Sequence, residues 1–193
     1  MSGNQINERQ SGRLPGSLEM ILKSVEDQYH SSLMEISSSR PILLVFLRQF
    51  GCCFSREALS DIRFLLPAME AAGARVVLVH MSSEYEASQI LASYGLADLS
   101  RISNPDGSLY KSFGLRKAEL ASMLAPQSIG RVLEAWANGN GSGFARGDSM
   151  QLPGMFLIYR AKMLQSFAPD SPATRPDYLK IINSGLVLLP TLF

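Results

Sequence analysis

Apolar positions along the chain fall into segments of two different periods. From Ser17 onward, Leu18, Ile21, Leu22, Val25, Tyr29, Leu33 and Ile36 recur at steps of three and four, the spacing of a helix with one buried face. Ser37 to Arg40 ends that helix, and Pro41 prevents its restart. "PILLVFL" (41–47) then has no polar side, so it predicts a central strand in a sheet covered on both faces. Gly51 breaks it. Residues 55–73 return to helical spacing, with Pro67 expected to kink the helix and Gly73 to close it. "ARVVLVHMS" (74–82) is a second buried strand. A helix follows, carrying Ser83 and Glu86 at capping-box spacing. Strands that alternate with helices predict a parallel α/β layer.

Farther on the pattern thins. Arg101 to Ser103 is a short strand, "NPDG" (104–107) a turn, and Leu109, Tyr110 and Phe113 mark a short helix. Residues 118–137 read as helical with an interruption near Pro126, and 138–148 as a glycine-rich loop. That loop lacks the strand and helix context of a phosphate loop, so no nucleotide or other cofactor is assigned. "MFLIY" and "KMLQSFA" form a hairpin about Arg160 and Ala161, residues poorly suited to a tight turn. A capped helix begins near Asp177. The tail "GLVLLPTLF" is apolar and is expected to pack on the domain or on a partner chain, a second copy of this one included. The expected organisation is a mobile arm over residues 1–16 and one domain over 17–193.

Composition narrows the function classes. With 18 basic and 17 acidic residues among 193, and no basic block, nothing points to nucleic acid or to an anionic membrane surface. No apolar run approaches the roughly 18 residues of a membrane span. The polar start has no signal-like apolar stretch, which makes a reducing cytoplasm the default expectation and both cysteines free thiols. Two histidines without metal-ligand spacing predict no metal site. His80, at the end of the second strand, is expected to be a structural histidine.

The chemistry then rests on "FLRQFGCCFSREAL" (46–59), which holds the only two cysteines, Cys52 and Cys53. Cys52 is expected where a buried strand gives way to a helix. Unpaired N–H groups and partial positive charge stabilise a thiolate there. Arg48 and Arg56 lie four residues to either side, and both are expected over the sulfur. Cys53 points about 100° away on the helix and reads as a packing residue, with a second-thiol role held open.

That segment resembles the active-site segment of peroxiredoxin-like proteins of the alkyl hydroperoxide reductase/thiol-specific antioxidant group (AhpC/TSA), within the thioredoxin superfamily. The group's "FLRxFGCxxC" pattern is matched at Phe46, Leu47, Arg48, Phe50, Gly51 and Cys52, with Ser55 where a second cysteine often stands. "NPDGSLYKSFGL" (104–115) and "GDSMQLPGMFLI" (147–158) resemble two later blocks. The resemblance implies a thioredoxin-like three-layer α/β/α sandwich with a mixed sheet and an extra N-terminal helix. It implies that Cys52 is the attacking thiol, that Gly51 and Pro153 border the substrate, and that Pro153 matches the superfamily's cis-proline. Ser55 is expected to donate a hydrogen bond to the sulfur.

Two departures bear on activity. Ser55 excludes a dithiol cycle within the "CxxC" slots, so resolution needs Cys53, an external thiol or a cysteine on another protein; the partners implied are a peroxide or disulfide substrate and a thiol reductant of the glutathione or thioredoxin type. The "PxxxTxxC" pattern of typical peroxiredoxins finds Val45 and Gln49 in its proline and threonine slots. The expected function is an antioxidant one-cysteine thiol peroxidase. The alternative is a non-catalytic binding or redox-sensing module on the same fold.

Overall fold

A computed structural model describes residues 15–119, 126–141 and 147–189. The sequence readings of the N-terminal arm to residue 14, of residues 120–125, of the centre of the glycine-rich loop and of the last four residues lie outside that range. Elements follow in the order α1 (Pro15–Ser24), α2 (Leu33–Ser39), β1 (Ile42–Phe46), α3 (Cys53–Ala71), β2 (Arg75–His80), α4 (Glu84–Ser93), β3 (Ser100–Ser103), α5 (Ser108–Ser112), α6 (Pro126–Ala137), β4 (Gly154–Tyr159), β5 (Lys162–Phe167) and α7 (Tyr178–Leu186).

The five strands form one mixed sheet in the order β3-β2-β1-β4-β5. β1 runs parallel to β2, and β2 to β3; β4 is antiparallel to β1, and β5 to β4. All five residues of β1 are buried. Leu43 and Val45 face one core with Leu59, Ile62 and Met69 of α3, Leu91 of α4 and Ile182 of α7. Ile42, Leu44 and Phe46 face the other, with Leu22 of α1, Leu33 and Ile36 of α2, and Tyr110 of α5. A strand with side chains of period two can fill both cores only if every position is apolar, which is why "PILLVFL" carries no alternation. Each such side chain contributes about 1.5–3 kcal/mol of burial.

The single N-terminal helix expected from Ser17 to Ile36 is two helices. Asp27 accepts backbone hydrogen bonds from Tyr29 (2.9 Å) and Ser31 (3.1 Å), and His30 takes a left-handed φ of 61°. This turn stops the helical path, and a capping box between Ser32 and Glu35 starts α2 afresh. The capping box at Ser83 and Glu86 and the Asp177 cap on α7 stand as expected. α3 runs as helix through Pro67 to Ala71.

The β4–β5 turn explains its unsuitable residues. Arg160 and Ala161 both have positive φ, 46° and 60°, as a primed turn requires. The strain is offset by docking: Arg160 donates its backbone N–H to the Ser37 carbonyl and its Nε to that of Ser38, at the end of α2. In the C-terminal tail, Leu186 and Leu189 pack on the α7-side core, whereas Val187 and Leu188 are exposed. Among the described residues no helix is long and apolar enough to cross a membrane.

Candidate functional site

Cys52 is the N-cap of α3. Its backbone position follows from β1. Leu47 continues the pairing one residue past the strand, donating to the Val79 carbonyl, and the chain then turns so that Cys52 N–H meets the Gln49 carbonyl at 3.0 Å. Phe50 is buried in that turn with its ring centroid 5.4 Å from that of His80. Gly51 is buried directly before the cap. The Cys52 carbonyl accepts from Ser55 and Arg56, the first bonds of the helix.

Arg48 is the charged neighbour of this thiol. Only 4% of it is exposed. Its Nη1 donates to Cys52 Sγ at 3.0 Å, its Nε to the Gln151 carbonyl at 2.9 Å, and its Nη2 to the Ser149 carbonyl. No carboxylate pairs with Arg48 among the described residues, so a Cys52 thiolate is its nearest counter-charge. The Cys53 thiol, the Arg48 guanidinium and the N–H groups of Phe54 and Ser55 hold Cys52 well below the ordinary thiol range, at about 6, against the opposing effect of burial. The Cys52 sulfur and burial push Cys53 the other way. As residues, Cys52 is half-buried and Cys53 is buried.

Three expectations are corrected. Arg56 does not lie over the sulfur; its Nε donates to the Phe50 carbonyl at 3.3 Å, because that carbonyl is left free by the turn before the cap. The Ser55 hydroxyl gives no hydrogen bond to Cys52: Oγ is buried without a partner, and it is the Ser55 backbone N–H that supports the thiol. The bond before Pro153 is not cis, since no described residue has a cis peptide. Pro153 instead leads into β4, where a residue without an N–H donor costs no ladder bond.

Pro153 and Ser55 share a narrow cleft of about 50 Å³, lined also by Arg48, Phe54, Ala58 and Phe167. Its far wall is ionic. Glu57, buried in α3, accepts on both carboxylate oxygens from one nitrogen, Nη2 of Arg131 in α6, at 2.8 and 3.0 Å. Arg175 pairs with Asp61 and lies 3.8 Å from Glu57. Sequence reading missed this network, whose members lie up to 118 positions apart. It also missed the carbonyls that hold Arg48, although the block 147–158 had been singled out for its family likeness. Asp148 caps the turn, accepting from Met150 N–H, and it also pairs with Lys117.

His80 is fully buried, with Nδ1 3.1 Å from the Ser82 carbonyl, and burial lowers its pKa to about 4. Its Nε2 has no hydrogen-bond partner. It is a neutral packing residue with one polar atom satisfied, rather than both.

No family model matches the chain. A prostamide/prostaglandin F synthase of Salmo salar is 27% identical over 168 residues, covering 83% of this chain and 80% of that protein. Among solved structures, a cysteine-to-serine mutant of Xylella fastidiosa PrxQ superposes with a TM-score of 0.60 at 15% identity, over 88% of this chain and 91% of that one. A cysteine-to-serine mutant of peroxiredoxin 6 from Arenicola marina gives 0.59 at 10% identity, over 86% and 70%. The bacterioferritin comigratory protein of Xanthomonas campestris, described for its alkyl peroxide reduction activity, gives 0.54 at 14%, over 86% and 89%. The mixed five-stranded sheet between two helical layers, with Cys52 at the head of α3, is thus a thioredoxin-like fold in the form that peroxiredoxins share.

Proposed function

We propose that this chain is a one-cysteine thiol peroxidase. The observation that supports it most directly is the 3.0 Å contact between Arg48 Nη1 and the sulfur of half-buried Cys52 at a helix N-terminus. The Cys52 thiolate attacks one peroxide oxygen. The S–O bond forms as the O–O bond breaks, and the departing alkoxide or hydroxide takes a proton to leave as alcohol or water. Arg48 and the Phe54 and Ser55 N–H groups face the charge that moves from sulfur to oxygen. An external thiol then attacks the sulfenic sulfur and releases water. A second thiol frees Cys52 and leaves as the disulfide, because Ser55 provides no internal sulfur.

The test is peroxide consumption with a small-thiol reductant. The wild type is expected to turn over and Cys52→Ser to lose all protein-dependent consumption. Equal rates in the two proteins would leave the binding-module reading in its place.

A second reading has its own support. The cleft beside Ser55, lined by Arg48 though not by Cys52, is walled largely by apolar side chains, and the Salmo salar relative is named for a prostanoid synthase. The same thiol would then open the O–O bond of a lipid endoperoxide. Turnover of an organic endoperoxide at rates well above those for hydrogen peroxide would favour it. The proposed setting is one domain from α1 to the C-terminal tail, in a reducing compartment.

A further inference from the structure

Residues 116–118 and 147–152 form a small antiparallel clip outside the main sheet. Lys117 bridges to Gln151; Ala118 donates to the Met150 carbonyl at 2.6 Å and Leu152 to the Arg116 carbonyl at 3.1 Å. The Gln151 side chain, 5% exposed, ties both arms, its Nε2 donating to the Arg116 carbonyl at 3.1 Å and the Leu152 carbonyl at 3.2 Å. Lys117 and Asp148 close the open end at 2.6 Å. Gly147 lets the clip start close to the thiol loop. Its φ is +122°, and an added Cβ would sit 3.2 Å from Met81 Cβ and 3.5 Å from Gln49 Cβ.

The 147–152 arm is a turn, Gln151 N–H meeting the Asp148 carbonyl at 3.2 Å. The Met150 carbonyl accepts from Ala118, while the carbonyls of Ser149 and Gln151 both accept from Arg48. A guanidinium is a planar fork of fixed geometry. With Nε and Nη2 held by two carbonyls of this turn, Nη1 is left aimed at Cys52 Sγ. From this geometry we infer that the clip is the device that orients Arg48 on the reactive thiol, with Gln151 and the Lys117–Asp148 pair as its positioning residues. None of the three side chains hydrogen-bonds the sulfur; they act through Arg48. The inference rests on the reading of Cys52 as the working thiol but not on its substrate.

The sign of one substitution separates positioning from plain charge. Asp148 is an anion near Arg48. Removing its charge alone frees Arg48 to favour the thiolate, making Cys52 more reactive at low pH. Loosening the clip does the reverse. The experiment is the pH dependence of iodoacetamide alkylation at Cys52, located by mass spectrometry, in wild type, Asp148→Asn, Lys117→Met and Gln151→Met, with circular dichroism to establish folding. All three variants are expected to titrate about one unit higher, alkylating about threefold more slowly at pH 6.5 and equally fast at pH 9. Lys117→Arg is expected to restore the wild-type profile. A downward shift in Asp148→Asn, or unchanged profiles in folded Asp148→Asn and Gln151→Met, overturns the inference. Should the buried Gln151→Met fail to fold, the two surface variants decide. Alkylation needs no peroxide turnover, so a chain that fails the peroxidase test and still shows these shifts refutes the peroxidase reading alone.

Discussion

Two arginine sites flank the first turns of α3, and they solve the same problem differently. Arg131 and Arg175 meet carboxylates, Glu57 and Asp61, and their charges are neutralised inside the protein. Arg48 is more deeply buried and meets only carbonyl oxygens and a sulfur. Carbonyls satisfy its donors but cancel no charge, and the nearby Asp148 carboxylate is bonded to Lys117 and Met150 N–H instead. On the proposed chemistry the anion that completes the site is the ionised form of Cys52. A buried cation paired with carboxylates fastens helices together, whereas one paired with a titratable thiol favours its reactive form.

That contrast can be broken most sharply at Arg48. Arg48→Met is expected to return Cys52 toward the free-thiol value of about 8.5 and to slow alkylation at pH 6.5 by about 10- to 100-fold. Stability should change with it. A thiol whose folded pKa is lowered contributes stability that is present above its unfolded pKa and is lost as pH falls through about 6. Urea unfolding at pH 5.5 and pH 8.5 should show a gain at the higher pH in wild type that shrinks in Arg48→Met. Arg131→Met is the counterpart. It leaves Glu57 buried with Arg175 alone, at 3.8 Å. It is expected to destabilise the fold by about 2–3 kcal/mol in urea, with the alkylation profile unmoved. A shift of the thiol in Arg131→Met would show that the two sites are one. The smallest effect is expected for Arg56→Ala. Its guanidinium bonds to Phe50 rather than to sulfur, so alkylation at pH 6.5 should change by less than about twofold.

The difference between Arg48 and Arg56 also marks how far the sequence can be read. Both stand four positions from Cys52, and spacing alone places both beside it. What separates them is the free Phe50 carbonyl, a product of the turn rather than of any pattern. Strand β1, the Cys52 cap, the box at Ser83 and the cap at Asp177 were legible because each depends on neighbours within a few residues. The break between α1 and α2 was legible in principle, in Asp27 and the Ser32–Glu35 pair, but the apolar period ran through it and hid it. The clip and the Glu57 network were not legible. They join segments dozens of positions apart through single bridges, which leave no periodic trace. The resemblance singles out Pro153, which enters β4, but the bond before it is not the cis one the resemblance implies.

Ser55 carries a final consequence. Its hydroxyl lies buried and unbonded three positions after Cys52, so on the proposed chemistry no sulfur stands at that position to reset the oxidised thiol. On the proposed chemistry, an oxidised copy keeps its mark until another molecule collides with it. The supply of that molecule, rather than any motion of the protein, then governs how long the memory of a peroxide encounter lasts.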